Sequence, residues 1–304
     1  MKLPFLQSVV PPHVFCLLEE GVTYARVRRE APPGFEEARH FRYAGGPLAS
    51  GASGAPIVTR EAVAEAVKAA RALSGGNLKR ASLIVPDEWV RVLPVELETI
   101  PGRDSAGREM VLWKLKKLIP GSMPEMEVVY EPIPVLSEEK RVLVAAAARE
   151  AIDAIERAFE ELGVRVGYLA PASLSLIEGL APILAKDAGG DYALLHRSAG
   201  TLCFLILRGS SPIFFRQRPA DGDEEHEREA RLSLSYYADR LKGPGLAAVY
   251  VHDSVPGRSL ERISAFTVPP RPLTGALFEA APDFDERLAA RPELLPGFAA
   301  VYGK

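Results

Sequence analysis

Short runs of apolar residues, separated by turns, open each half of the chain. In the first half the run 14–18 precedes the turn Glu19-Glu20-Gly21 and the alternating segment 22–27, which is the pattern of a β-hairpin. A third strand is predicted at 38–43. The second half begins in the same way, with strands predicted at 192–196, 201–207 and 213–217. Two halves that each open with antiparallel strands indicate a duplicated α/β fold.

Apolar residues at helical spacing lie between these strand patterns. In 59–73 they recur every three or four residues until Gly75-Gly76 end the pattern, which predicts an amphipathic helix. The spacing predicts further helices at 107–119, 150–162, 172–184, 224–241 and 294–302, and further strands at 81–85, 89–97, 126–135, 141–148, 164–169 and 246–252. The order of these elements places an α+β unit between the two halves.

The composition is typical of a globular protein with an ordinary surface. Apolar residues make up 47% of the 304 residues and charged residues 25%, so a large core can be buried. The 40 acidic and 37 basic residues give a net charge of -3, which provides no electrostatic reason to expect nucleic acid as a partner. Cys16 and Cys203 both lie in apolar, strand-like runs and are expected to be reduced, buried side chains.

The sequence contains no pattern that is typical of a membrane span. No apolar run reaches the ~18–20 residues that cross a bilayer, and the first ten residues make a poor secretory signal. We therefore expect a cytoplasmic protein that reaches a membrane only through a partner. Lys114, Lys116 and Lys117 in one predicted helix have the charge that anionic lipid attracts, but three lysines favour a solvated face.

Three segments follow one another along the chain in a distinctive order. The first, 83–101, is a strand, a proline turn and a second strand that ends in proline. The second, 111–120, is a helix that ends in Ile-Pro, and the third, 141–166, is a strand and a helix followed by a glycine step into the next strand. In this order they resemble PilM, the type IV pilus assembly protein, and the cytoplasmic part of GspL, the type II secretion protein.

The resemblance implies an actin-like (ASKHA, ribonuclease H-like) α/β fold with two lobes around a cleft. It implies a first lobe at 1–80, an inserted α+β subdomain at 81–166, and a second lobe at 167–304 whose C-terminal helix returns to the first. The implied function is that of a cytoplasmic scaffold, peripheral at the inner membrane, in a pilus or secretion assembly platform. Its implied partners are a bitopic PilN-like or GspM-like membrane protein and an assembly ATPase.

The phosphate-binding turns of actin-like ATPases carry an Asp-x-Gly sequence between the first two strands of each lobe. The aspartate acts through magnesium and water, and the glycine lets the backbone approach phosphate. Here the first turn carries Glu19 and Gly21 without an aspartate. The second has His196 and Ser198 in place of the aspartate and glycine, followed by Gly200 and Thr201. The segment 249–257 also lacks the Gly-Gly pair that follows a late strand in the family.

These departures predict a degenerate nucleotide site, no bound cofactor and no catalytic residue. Two alternatives remain open: an ATP-binding protein of this fold with a rearranged site that uses Glu19 and Thr201, and a small-molecule kinase-like enzyme, which the missing aspartate disfavours. His196, His226 and His252 have no spacing typical of metal ligands and are expected at turns or on the surface.

Aromatic residues of the inserted unit are candidates for contact with a partner. Trp89, Trp113 and Tyr130 lie within it, and large aromatic side chains often anchor a bound peptide, although they are about as often part of a core. The family resemblance implies that the partner's cytoplasmic tail binds in a groove beside this subdomain.

Overall fold

Three β-sheets organise the computed structural model, which describes residues 10–30, 32–118, 125–133, 140–198, 200–220, 222–254 and 260–303. The strands are β1 (His13–Leu17), β2 (Gly21–Arg28), β3 (Gly34–Arg42), β4 (Arg80–Val85), β5 (Arg91–Leu97), β6 (Met126–Pro132), β7 (Lys140–Ala148), β8 (Arg165–Pro171), β9 (Tyr192–Ser198), β10 (Thr201–Arg208), β11 (Ser211–Pro219), β12 (Ala248–Asp253) and β13 (Arg271–Pro272). The helices are α1 (Arg60–Leu73), α2 (Ser105–Leu118), α3 (Arg149–Glu160), α4 (Ala172–Ala188), α5 (Asp223–Asp239), α6 (Leu273–Ala280), α7 (Arg287–Ala290) and α8 (Leu295–Tyr302).

The first sheet has the strand order β3-β2-β1-β4-β8. β1 pairs antiparallel with β2 and parallel with β4, so it is a central strand. Four of its five residues are buried, which explains its continuous apolar run. α1 covers part of this sheet, and its first turn is capped by the Thr59 side chain, which accepts a hydrogen bond of 3.3 Å from the Ala62 amide.

The second sheet repeats this plan with the order β11-β10-β9-β12-β13. β9 pairs antiparallel with β10 and parallel with β12, and all seven of its residues are buried. A two-strand antiparallel start followed by a parallel crossover strand therefore occurs in both sheets. This is the duplicated α/β arrangement that the sequence pattern predicts.

A smaller three-stranded sheet, ordered β5-β7-β6, lies between β4 and β8 along the chain. All its strand pairs are antiparallel, and α2 packs on it through Val111 and Leu115, which are fully buried. β4 and β8 themselves pair with each other in the first sheet. The predicted boundaries at 81 and 166 thus fall inside these two strands, and the small sheet is inserted between them.

One large core joins the two five-stranded sheets. It includes the inner face of the second sheet, with Leu194, Leu205 and Tyr250, and separate apolar clusters lie beneath α5 and in the three-stranded unit. α4 and α8 pack together, and α8 also contacts β1, β2 and β4. The C-terminal helix therefore lies against the first sheet.

Most elements agree with the sequence pattern. The cysteine prediction is confirmed, because Cys16 and Cys203 are both free and buried, and burial raises the pKa of the Cys16 thiol to about 12. α6 and α7 lie in a proline-rich tail for which the pattern predicts only the final helix. Among the described residues, no helix combines the length and apolar character that a membrane span requires.

Candidate functional site

The first predicted phosphate turn is a tight connection between β1 and β2. The Leu18 amide donates a hydrogen bond of 2.8 Å to the Gly21 carbonyl, and Glu19 is exposed at the tip. A Cβ at Gly21 would lie 2.3 Å from the Phe41 carbonyl oxygen of β3. Glycine is therefore required here by the close approach of a neighbouring strand.

The second predicted turn connects β9 to β10. Ser198 and Thr201 face each other as the last and first residues of the paired strands, and both are buried. The Gly200 carbonyl accepts a hydrogen bond of 2.8 Å from the Ala220 amide. Arg197 is held by an ion pair with Asp253 of the neighbouring strand β12. Backbone pairing and this ion pair therefore fix the strand ends on both sides of the turn.

A chain of buried polar groups lies beside this turn. His196 is fully buried, and its Nδ1 lies 2.8 Å from Nδ1 of His252. Nε2 of His252 donates to the Pro292 carbonyl at 3.0 Å. On its other side, Nε2 of His196 lies 3.1 Å from Oδ2 of Asp87, without the alignment of a hydrogen bond. Oδ1 of Asp87 accepts hydrogen bonds from the Ser173 amide at 3.1 Å and the Ser173 hydroxyl at 2.6 Å.

The topology explains how these residues meet. His196 and His252 occupy paired positions in the parallel strands β9 and β12. Asp87 begins a short 3-10 helix directly after β4, and Ser173 lies in the first turn of α4, where a carboxylate is favoured by the helix dipole. The ends of one strand from each large sheet are thereby connected through buried side chains. The prediction that His196 and His252 lie at turns or on the surface is wrong, and His226 is also buried.

The charges around these buried polar groups are mostly negative. Burial and the neighbouring His196 hold the pKa of His252 well below its usual value, so its ring is neutral at physiological pH. Glu88 has a large solvent-accessible surface. Even so, desolvation of its carboxyl, with Asp87 and Glu19 nearby, raises its pKa to about 7. Carboxyl groups from the first turn and from the β4–β5 junction thus lie close enough to influence one another.

The described residues of this site do not form a metal centre. Across residues 10–303, outside the gaps given above, no group of three or more His, Cys, Asp or Glu side chains is arranged to hold a metal ion. His196 and Asp87 are buried, so they present no ligand atoms to solvent.

The three predicted partner-binding aromatics lie in different surroundings. Trp89 is half-buried at the edge of the main core, at the end of the 3-10 helix after β4. Trp113 is 58% exposed on α2. Tyr130 is half-buried on β6, and its hydroxyl donates to the Gly102 carbonyl in the loop before α2.

Tyr130 lines a groove of about 470 Å³ at the start of α2. Two arginine–glutamate pairs lie along it: Arg108 donates to Glu127 at 2.7 Å, and Arg103 donates to both oxygens of Glu131 at 2.7 and 2.8 Å. The other residues that line it are Asp104, Ser105, Val128 and Val129. Sequence spacing gives no indication of this groove, because its residues come from a loop, a helix and a strand.

Two sheets of matching topology, joined by helices and carrying an inserted α+β unit, define an actin-like α/β fold. No protein-family model matches the chain, and no curated protein matches its sequence. Solved structures do match. A chain of a PilM–PilN type IV pilus biogenesis complex superposes with a TM-score of 0.73 at 18% identity, covering 97% of this chain and 98% of that chain.

A second similar structure belongs to a secretion system. It is the cytoplasmic domain of EpsL, an inner-membrane component of the type II secretion system of Vibrio cholerae. Its TM-score is 0.51 at 12% identity, covering 90% of this chain and 95% of that chain. A Bacteroides thetaiotaomicron protein described as having an actin-like ATPase fold aligns with a TM-score of 0.45 at 11% identity. The likeness to the two structures with TM-scores above 0.5 confirms the predicted fold.

Proposed function

We propose that this chain is a cytoplasmic scaffold of an inner-membrane type IV pilus or type II secretion assembly platform. In this role it binds the cytoplasmic segment of a membrane protein, and its nucleotide site is degenerate. The likeness to a chain of a PilM–PilN complex supports the scaffold, because it extends over 97% of this chain. The observation that carries the degenerate site is the burial of His196 against Asp87 and His252.

The chemistry of the cleft argues against a bound magnesium triphosphate. An actin-like ATPase needs a carboxylate that reaches metal-bound water, and His196 stands in the sequence where that carboxylate is expected. Its ring is instead enclosed between Asp87 and His252. Glu19 adds negative charge at the tip of the first turn, where it would repel phosphate. No atom of His196 is exposed to take the place of the missing acid.

Calorimetric titration of the purified chain with Mg-ATP, beside a thermal-shift scan, tests the degenerate site. We expect no heat and no shift of the melting temperature at millimolar nucleotide. An actin-like protein known to bind ATP, run under the same conditions, is the positive control. Micromolar binding would contradict the proposal and would make Glu19, His196 and Thr201 the first residues to substitute.

The groove beside Tyr130 is our candidate for the partner's segment. Its volume of about 470 Å³ suits a few side chains of an extended peptide, and its paired arginines and glutamates provide hydrogen-bonding groups of both signs. Val129 and the Tyr130 ring supply apolar surface between these charges. A peptide with alternating polar and apolar residues fits this lining.

Fluorescence anisotropy with a labelled cytoplasmic peptide of a PilN-like or GspM-like protein from the same genome tests this assignment. We expect Ser105→Trp, which places a large ring at the exposed start of α2 in the groove, to weaken binding about tenfold or more. Ser235→Trp is the matched control, because Ser235 is exposed on α5 in the other lobe. If the chain binds neither peptide, the scaffold role is contradicted. If both variants lose peptide binding equally, the assignment of the groove as the binding site is contradicted.

A further inference from the structure

Exposed apolar side chains are concentrated in α2 and just before it. Six large apolar side chains are exposed in the described part of the chain, and four of them lie between residues 100 and 118: Ile100, Met110, Trp113 and Leu118. Met110 and Trp113 are three residues apart on one side of the helix, and Leu118 is its last residue. Trp113 is the most exposed of the six, at 58%.

The last turns of α2 also carry three lysines. Nζ of Lys117 lies 3.4 Å from the centre of the Trp113 ring, and Lys114 and Lys116 flank them. Within the described residues, none of the three has a carboxylate within 4.0 Å, whereas Arg108, Arg141 and Arg149 of the same unit are all ion-paired. Glu109 is the carboxylate on this side of the helix, so three lysines leave the face with a net charge of +2.

This face is separate from the groove at Tyr130. Arg108 lines the groove, and Lys117, nine residues later, lies about 180° around the helix from it. The Trp113 face is the exposed, convex side of a helix whose Val111 and Leu115 side is buried on the sheet. A convex face gives a peptide no walls to bind between, but it can lie flat on an extended surface.

We propose that the face of α2 formed by Met110, Trp113, Lys116 and Lys117, with Lys114 at its edge, binds an anionic lipid bilayer directly. Tryptophan is favoured at the boundary between headgroups and acyl chains, and lysines keep their charge near phosphate while their stems lie along apolar surface. The contact is weak by itself, since only three lysines contribute. It orients a scaffold that a membrane partner already tethers, because tethering raises the effective concentration.

Vesicle binding by the full chain tests this proposal without any partner. The Trp89→Phe variant leaves Trp113 as the only tryptophan, so its emission reports on α2 alone. With phosphatidylglycerol-containing vesicles we expect co-sedimentation and a blue shift of the emission, both reduced by added salt, and neither with pure phosphatidylcholine. The proposal is overturned if the emission is unchanged by anionic vesicles. It is also overturned if an acidic peptide shifts the emission and the vesicles do not.

Charge variants test which lysines are responsible. We expect combined Lys114→Gln, Lys116→Gln and Lys117→Gln to lower vesicle partitioning about fivefold for each lysine removed, while α2 keeps good helix-forming residues. Combined Lys68→Gln, Lys79→Gln and Lys186→Gln removes the same charge from exposed positions elsewhere and should retain most of the binding. A melting curve for each variant verifies folding. Equal loss of binding in the two triple variants would mean that net charge is responsible, and this would overturn the proposal.

Discussion

Single side chains in the buried polar chain have roles that their positions in the sequence do not reveal. Asp87 is 1% exposed and makes two hydrogen bonds to Ser173, while its second oxygen lies beside His196. A buried polar atom that loses its hydrogen-bond partner costs free energy of folding. Each side chain in this row of polar groups therefore fixes the position of the next one. Asp87 is therefore a structural residue.

Asp87→Ala is expected to lower the free energy of unfolding by about 2–4 kcal/mol, because it leaves the Ser173 amide and hydroxyl unsatisfied and the buried His196 ring without its acidic neighbour. Urea denaturation followed by circular dichroism measures this change. Glu98→Ala, the same kind of change at an exposed position after β5, is the control and should stay within about 0.5 kcal/mol of the parent. Equal stabilities for the two variants would contradict the role assigned to Asp87.

His252 makes stability sensitive to acid. Its pKa in the folded protein lies well below 6.5, so below that pH the unfolded chain binds a proton that the folded chain does not. The free energy of unfolding should therefore fall as the pH drops below 6.5, by up to about 1.4 kcal/mol per pH unit from this residue. His252→Gln should flatten the curve of stability against pH between 6.5 and 5. Parallel curves for parent and variant would contradict this origin.

Among the elements, the α4–α8 pair depends on the absence of a side chain. A Cβ at Gly179 in α4 would lie 2.0 Å from the Ala299 carbonyl oxygen of α8. α8 in turn lies against the first sheet, so this close approach also sets where the C-terminal helix sits. The glycine is retained at a cost in helix propensity, which indicates that packing of the two helices is the stronger contribution.

Gly179→Ala should therefore destabilise the protein, by about 1–3 kcal/mol, because the added methyl group forces the two helices apart. Gly275→Ala is the matched control in α6, where a Cβ would meet nothing within 4 Å. There the same substitution should be neutral or stabilising by up to about 1 kcal/mol, through helix propensity alone. Thermal melting of the two variants checks the difference, and similar melting temperatures would refute it.

At the scale of the whole molecule, the Gln217 side chain connects the second sheet to the inserted unit. Oε1 of Gln217, on β11, accepts a hydrogen bond of 3.1 Å from the Val92 amide of β5. Its Nε2 donates to the Asp87 carbonyl and, at 3.1 Å, to the Val90 carbonyl. These three bonds hold the junction between β4 and β5, where the small sheet departs from the first large sheet. The orientation of that unit, with its groove and its α2 face, depends on this junction.

Gln217→Ala should loosen the inserted unit without unfolding the lobes. We expect faster hydrogen exchange of the Val92 amide and its neighbours in β5, and little change in β9 or β10. Arg218→Ala, at the adjacent exposed position, is the control and should leave the exchange of β5 unchanged. Hydrogen-exchange mass spectrometry resolves these segments. Unchanged exchange in β5 of the Gln217 variant would show that other contacts hold the unit.

Much of the fold follows from local patterns. The capped, amphipathic segment at 59–73 forms α1, and the apolar runs of β1 and β9 become central strands, because periodicity and burial are encoded within each segment. The helices α6 and α7 are not predicted, since the prolines around them favour turns. Proline is tolerated where a helix begins, and Pro272 directly precedes α6.

Tertiary structure alone decided the site. Nothing near His196 in the sequence indicates that it meets His252 and Asp87, because strand register and the meeting of two sheets bring these residues together. Local sequence shows that the predicted phosphate turns lack their aspartates, since this requires only residue identities at a turn. Burial of the ring that replaces one of them depends on long-range packing. Long-range packing also distinguishes Trp113 from Tyr130. Residue type predicts both as partner-binding aromatics, but the fold places Trp113 on a convex helix face and Tyr130 in a groove.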